Sequence, residues 1–137
     1  MFKDFDAFKK WFETSTAWKR MASCKEDSPW HREESVAVHT NMVVDHARKL
    51  SDEAGLSLAA TQLAQMSGLF HDVGKPAAKT EKYREDRGNY FAFHGHDLIS
   101  ARFIEDFYMS NRSFVKDMVP DHETLYKLMW IVENHIP

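Results

Sequence analysis

At 137 residues, the chain is long enough for one domain with a hydrophobic core and too short for two comfortable ones. Hydrophobic residues make up 43% of the sequence and aromatic residues 13%, which excludes an intrinsically disordered chain. The formal net charge of −3 argues against a protein whose whole surface attracts nucleic acid or anionic membrane, so any phosphate-binding surface should be local.

The cysteine content and the apolar runs bear on where the protein works. A single cysteine, Cys24, excludes an internal disulfide framework and suits a reducing, cytoplasmic setting. No apolar run approaches the roughly 20 residues that a membrane span needs, and the N-terminus lacks the apolar stretch of a signal peptide. We therefore expect a cytoplasmic protein with no membrane partner.

The first twenty residues carry an aromatic pattern. Aromatic side chains recur there at three- and four-residue steps, with lysine and aspartate between them: Phe2, Phe5, Phe8, Trp11, Phe12 and Trp18. This spacing predicts an amphipathic helix with an aromatic face. We expect that face to pack into the core, and a helix lying on a membrane surface is the alternative.

Two longer helices are predicted next. The second helix runs over about 33–53, and its apolar stripe consists of Val36, His39, Val43, Ala47 and Leu50. Ser57 can cap a third helix over 58–73, which Gly74 and the proline after Lys75 bring to an end.

The stretch 77–95 resists helix assignment. Its middle is highly charged, Gly88 marks a turn and a short aromatic run follows, so we predict a long loop, with two very short strands as a variant. A loop of this length is usually functional or mobile. A fourth helix is predicted from His96 and a fifth after Asp121. The predicted fold class is all-α, a compact bundle of about five helices with a charged loop over one end.

His39, His71 and Asp72 are the strongest candidates for a metal site. His39 lies on the apolar stripe, and the other two are adjacent within "GLFHDVGKP". A histidine on an apolar face is more often a core residue than a ligand, and helix neighbours diverge by about 100°, so a shared metal requires a suitable helix crossing. Two imidazoles and a carboxylate suit Mn, Fe, Co, Ni or Zn rather than Ca. Such a site with open positions is catalytic in type.

Two further stretches hold imidazoles near element boundaries. "FHGHD" places His94 and His96 two residues apart, which puts both side chains on one side of an extended segment. The alternative is a helix start with solvated histidines. "PWHREE" puts His31 and Arg32 just before the second helix, where a capped helix start with surface charges explains them equally well.

In this order, the residues resemble the HD-domain superfamily of metal-dependent phosphohydrolases. The resemblance covers residues 29–137 and rests on "WHREESVAVHTNMVV", "LFHDVGKP", "FHGHDLISA" and a late histidine. These motifs are most similar to the HD domains of bacterial tRNA nucleotidyltransferases. They are also similar to the HD 3′-phosphatase modules fused to bacterial and phage polynucleotide kinases.

The resemblance implies a set of metal ligands and a cofactor. The ligands are His39, His71, Asp72, His96 and His135, and in the family the histidine at the His96 position often serves a second metal or the substrate phosphate. The cofactor would be one or two divalent transition-metal ions, Mn, Co, Ni, Fe or Zn. The family usually closes the first metal shell with an aspartate after the late histidine, but this sequence stops at Pro137. We expect a truncated domain of a longer parent protein that carries a C-terminal kinase or another domain, and a water, His135 or another carboxylate in that position is the alternative.

The resemblance also implies catalytic and substrate-binding residues. Asp72 would act through the metal and Lys75 would offset charge on the phosphate. One of the imidazoles of His31, His94 and His96 would protonate the leaving oxygen, with His94 as the catalytic candidate. His31 and Arg32, together with Lys75, stand where related domains approach the substrate.

The implied function is an enzyme of RNA end processing, or of nucleotides that mimic such ends. It would cleave phosphate esters at a 3′-phosphate or 2′,3′-cyclic phosphate, with a nucleotide or a single-stranded nucleic-acid end as its partner. A small substrate or strand end fits because the basic residues are few and concentrated around 75–87. The alternatives are a phosphohydrolase of free (deoxy)nucleotide mono- or triphosphates and a degenerate HD module that binds nucleotide without turnover.

Overall fold

The computed structural model describes residues 2, 4–26 and 35–135. In chain order the elements are α1 (Phe5–Phe12), α2 (Thr16–Ser23), α3 (Val36–Glu53), α4 (Leu58–Phe70), α5 (Lys75–Ala78), β1 (Thr80–Arg84), β2 (Gly88–Ala92), α6 (His96–Ser110), α7 (Arg112–Val115) and α8 (His122–Glu133). The fold is all-α, as predicted, with one small antiparallel sheet. Across the described ranges, no helix is both long and apolar enough to cross a membrane.

The aromatic N-terminal pattern forms two helices where one was predicted. The hydroxyl groups of Thr14 and Ser15 donate to the carbonyl oxygens of Trp11 and Phe12, at 2.7 and 2.5 Å, where α1 ends. Ser15 Oγ also accepts from the backbone N–H of Trp18 at 3.2 Å, where α2 begins. The continuous helix was therefore a wrong prediction, because a capping serine competes with helix continuation.

The aromatic face of α1 packs into the core, as expected. Phe8 and Phe12 are completely buried. The ring of Phe12 meets that of Phe70 edge-on at 5.3 Å between centroids, and Phe103 lies 6.4 Å away in the same orientation. Edge-to-face pairs of this kind add to the stabilisation that burial alone provides.

The long helices pair as α3 with α4 and α6 with α8. The predicted cap of α4 is confirmed, because Ser57 Oγ accepts from the N–H of Ala60 at 3.2 Å. The predicted stripe on α3 was wrong in part, since Leu50 is 62% exposed. The helix instead buries a face rotated by about one residue, formed by Val36, Ala37, Thr40, Val44 and Ser51.

The stretch predicted as a long loop contains a β-hairpin, the variant with two short strands. Strands β1 and β2 pair antiparallel, and the three residues 85–87 connect them. Gly88 supplies the positive φ, +79°, at the end of the turn. Every residue of β1 is exposed. The short helices α5 and α7 and the division of the first helix account for the other differences from a five-helix bundle.

Candidate metal centre

A buried aspartate, Asp72, lies between two pairs of histidines. The Oδ2 atom of Asp72 is 2.9 Å from His71 Nε2 and 3.7 Å from His39 Nε2. Its Oδ1 atom is 3.3 Å from His96 Nε2 and 3.5 Å from His135 Nε2. Asp72 is only 2% exposed, so the four imidazoles replace most of the water that the carboxylate would otherwise contact.

Helix ends deliver most of these side chains. His71 is the C-cap of α4, and Asp72 follows in the turn after that helix. His96 is the first residue of α6, and His135 comes just after α8. His39 lies within α3, and the packing of α3 and α8 against α4 brings the four helices to one point. Neighbouring side chains within an α-helix point about 100° apart. Asp72 lies beyond the end of α4, so this angle does not separate it from His71.

Backbone carbonyl groups orient three of the imidazoles. The Nδ1 atom of His71 lies 2.6 Å from the Gly68 oxygen, that of His96 lies 2.9 Å from the Phe93 oxygen, and that of His135 contacts the Val132 oxygen. A carbonyl oxygen only accepts, so Nδ1 donates in each ring, and in the neutral ring Nε2 presents its lone pair to Asp72.

This donor set fits a divalent metal ion. Lone pairs on imidazole and carboxylate repel unless a proton or a metal cation lies between them. Metal-binding histidines commonly use the other ring nitrogen to donate to a carbonyl, as these three do. Two overlapping groups have ligand atoms within 4.8 Å of one another, His39–His71–Asp72 and Asp72–His96–His135. Imidazole nitrogens with one carboxylate suit Mn, Fe, Co, Ni or Zn.

The charges in the cluster are coupled. Burial favours a higher pKa for Asp72. Where Nε2 of His135, His71 or His96 carries a proton, its hydrogen bond to the carboxylate outweighs burial, and these bonds hold the pKa of Asp72 well below its usual range. The hydrogen bond to Asp72 raises the pKa of His135. The site therefore holds a carboxylate in its ionised form and favours positive charge beside it.

Lys75 lies against the same carboxylate. Its Nζ atom is 3.3 Å from Asp72 Oδ2 and forms an ion pair with Glu26, which is 5% exposed. Burial opposes the charge on Lys75, but Asp72 and Glu26 raise its pKa overall. The ammonium group also lies 5.2 Å from the centre of the Phe93 ring. Sequence reasoning placed Lys75 in the site but missed Glu26, which sits in a polar connection with no local signal.

Gly74 allows the turn after Asp72 to pack closely on α6. Its N–H donates to Ser100 Oγ at 2.8 Å. A Cβ atom on Gly74 would lie 2.5 Å from the His96 oxygen and 2.7 Å from the Ser100 nitrogen. Both are backbone atoms of α6, so the turn and the helix could not both keep their positions.

We therefore expect Gly74→Ala to lower the free energy of unfolding by about 1–3 kcal/mol or more, the usual cost of overpacking. Chemical denaturation of the metal-free protein measures this. Gly68→Ala is the control, because its Cβ would meet the movable Val43 Cγ1 at 3.3 Å and alanine favours the helix interior. Equal stability of the two variants would contradict the packing argument.

A cleft opens beside the cluster. It has a volume of about 370 Å³ and is lined by Lys75, Phe93, His94, Gly95, His96, Asp97 and His135. His94 is exposed and His96 is buried, yet both line this cleft. Gly95 has φ +78°, a left-handed conformation that turns the chain into α6.

The structure brings six of the predicted site residues together: His39, His71, Asp72, Lys75, His96 and His135. His94 lies at the rim of the cleft. His31 and Arg32, predicted to bind substrate, lie outside the described residues. Besides Glu26, sequence reasoning missed Phe93 and Ser100, whose contacts with Lys75 and Gly74 depend on the packing of α6.

The comparisons with known proteins give one match. No curated protein and no solved structure matches the chain. The model of the HD domain matches residues 36–135, a range that includes all five predicted metal ligands. HD domains are in general metal-dependent phosphohydrolases that bind divalent metals, although some members are degenerate. Since the match spans well over half of the sequence, the chain belongs to the HD domain family.

Proposed function

We propose that this HD domain hydrolyses phosphate esters at nucleic-acid ends, a 3′-phosphate or a 2′,3′-cyclic phosphate. The observation that carries the proposal is the convergence of four imidazoles on Asp72 beside an open cleft, with the ammonium group of Lys75 at the same carboxylate. Metal ligands, an open cleft and a fixed cation are the components that phosphoryl transfer requires.

We assign the metal ligands to the two overlapping groups. His39, His71 and Asp72 would hold one divalent ion, and Asp72, His96 and His135 would hold another where two are bound. A bound ion of this kind supplies Lewis-acid chemistry, because it polarises a phosphoryl oxygen and makes water more acidic.

The chain's own residues supply the remaining chemistry. The Lys75 side chain, 14% exposed, reaches the cleft with its charge and offsets negative charge on the phosphate. His94 stands at the rim, where a proton donor can reach the departing oxygen, and histidine exchanges protons readily near neutral pH. We retain His31 and Arg32 as substrate contacts on the strength of the family resemblance.

The choice of a strand end over a free nucleotide is supported by two features. One is the similarity of the motifs to HD domains attached to tRNA nucleotidyltransferases and polynucleotide kinases. The other is the hairpin, because β2 leads directly to Phe93 and His94 at the cleft. In the register, Lys82 opposes Tyr90 and Arg84 opposes Gly88, so one face carries two cations and an aromatic ring. Cations beside aromatic rings suit single-stranded nucleic acid.

Removing Lys82 and Arg84, the two cations on this face of the hairpin, should separate strand substrates from mononucleotides. We expect Lys82→Ala/Arg84→Ala to raise KM for a 3′-phosphorylated oligonucleotide about two- to thirtyfold, taking roughly 0.2–1 kcal/mol per exposed ion pair. KM for a 3′-mononucleotide should be unchanged. Lys116→Ala/Lys127→Ala removes two exposed lysines elsewhere and is the control. An equal rise in KM for both substrates would contradict the proposal that the hairpin binds the strand of the substrate.

A phosphate-release panel with metal analysis tests the function as a whole. The purified protein is assayed with 3′-phosphorylated and cyclic-phosphate oligonucleotides and with free mono- and triphosphates, each with Mn, Co, Ni, Fe or Zn. Preference for oligonucleotide ends supports the proposal, whereas preference for free nucleotides favours the nucleotide phosphohydrolase. Tight nucleotide binding without turnover in any metal identifies a degenerate binding module.

A further inference from the structure

Glu26 reaches the site from a segment that precedes the family match. The match begins at residue 36, and the carboxylate of Glu26 contacts Lys75 across 49 positions of sequence. The position of the segment is fixed by backbone contacts. The N–H of Val36 donates to the Cys24 oxygen at 2.8 Å, and Lys25 forms an isolated antiparallel bridge with Ser35.

The position of Lys75 creates a conflict that Glu26 relieves. Lys75 Nζ lies 3.3 Å from Asp72 Oδ2, the same oxygen that faces His39 and His71. An ammonium group on that oxygen competes with a divalent cation for it and repels the cation. Glu26 offers the ammonium group a second carboxylate, also almost fully buried.

The charge balance points the same way. Asp72 and Glu26 contribute two negative charges and Lys75 one positive charge, so the three groups together carry one negative charge. Without Glu26 the charges of Asp72 and Lys75 sum to zero, so the site attracts a divalent metal ion less strongly. With Glu26, the site attracts a divalent ion and still keeps a fixed ammonium beside the cleft.

We infer that Glu26 is a positioning residue, which holds Lys75 beside the metal ligand Asp72 without letting it displace the metal. The inference rests on the proposed function, since it takes His39, His71 and Asp72 as the metal ligands. It extends the functional site to a residue outside the part of the chain that the HD model matches.

Calorimetric titration of the metal-free protein with Mn²⁺ measures the Kd of the metal and tests the inference without an activity assay. We expect Glu26→Gln to raise Kd by about 10–100-fold, the range for loss of a group that supports a metal ligand. Glu26→Gln/Lys75→Met should return Kd to near the wild-type value, because the competing ammonium group is gone. A double variant as weak as Glu26→Gln would overturn the inference, since Glu26 would then only support the fold.

Lys75→Met alone keeps the test decisive if Glu26→Gln does not fold. It leaves both carboxylates and removes the competitor, so Mn²⁺ should bind more tightly than to the wild type; weaker binding would overturn the inference. Glu53→Gln removes an exposed carboxylate at the end of α3 and is the control. If the wild type itself neither binds Mn²⁺ nor releases phosphate, the proposed function fails. A wild type that binds Mn²⁺ no better than Glu26→Gln overturns the role of Glu26 alone.

Discussion

Asp72→Ala is expected to abolish phosphate release while the helical circular dichroism stays largely intact. Both candidate ligand groups contain Asp72, so its loss removes the only carboxylate from each. Four imidazoles would remain, but without the anion they hold a divalent ion less well and do not balance its charge. Metal content and phosphate release, measured on the same preparation, give the result.

Asp45→Ala serves as the control for this variant, because Asp45 is an exposed aspartate on α3. It should retain both metal and activity. An Asp72→Ala protein that keeps its metal and its turnover would show that the site lies elsewhere. His39→Ala and His71→Ala should resemble Asp72→Ala, since those two histidines share the Oδ2 atom with Lys75.

Lys75→Ala is expected to lose mainly kcat when metal is saturating. A fixed cation that meets the reacting phosphoryl group stabilises the transition state more than the ground state, so its removal lowers kcat. Loss of one preorganised oxyanion-hole donor costs about 2.7–4 kcal/mol, and this loss should fall at or below that range. The side chain is mostly buried between Glu26, Asp72 and Phe93, which fixes its position before substrate arrives.

Arg32→Ala provides the contrast to Lys75→Ala. If Arg32 grips a flanking phosphate or base, its removal should raise KM and leave kcat almost unchanged. Steady-state kinetics of both variants, with metal content checked, separate the two roles. Unchanged kcat and KM in Lys75→Ala would reduce Lys75 to a structural partner of Glu26.

Local sequence signals were sufficient for much of the fold. Ser57 and Asp121 predicted helix starts correctly, because a capping side chain acts within three residues of its own position. The spacing of Phe5, Phe8 and Phe12 predicted a buried face correctly, because residues three and four positions apart lie on the same side of a helix. Ser15 gave the same kind of signal, but the aromatic periodicity continued across it and hid the break between α1 and α2.

The parts of the site that could not be predicted depend on contacts between distant segments. Lys75 and Glu26 are 49 positions apart, and the sequence around each residue does not indicate that it contacts the other. The different exposure of His94 and His96 could not be predicted either, because Gly95 between them takes a left-handed conformation that the sequence permits without requiring. The convergence of His71 and Asp72 with His39 requires the packing of α3 on α4, so the sequence could name these three as candidate ligands but not show that they meet.

The aromatic face of α1 has a consequence for how this domain can be cut and recombined. Residues 36–135 are the part that the family model recognises, yet Phe8 and Phe12 lie outside them and cover Phe70. A fragment trimmed to the recognised limits would uncover the side of that ring that α1 covers, although Phe103 and Phe107 would still pack against it. Each buried aromatic side chain accounts for about 150–250 Å² of surface. The limits of homology and the limits of the folding unit therefore differ, and a transplant of this domain into another protein must carry α1 with it.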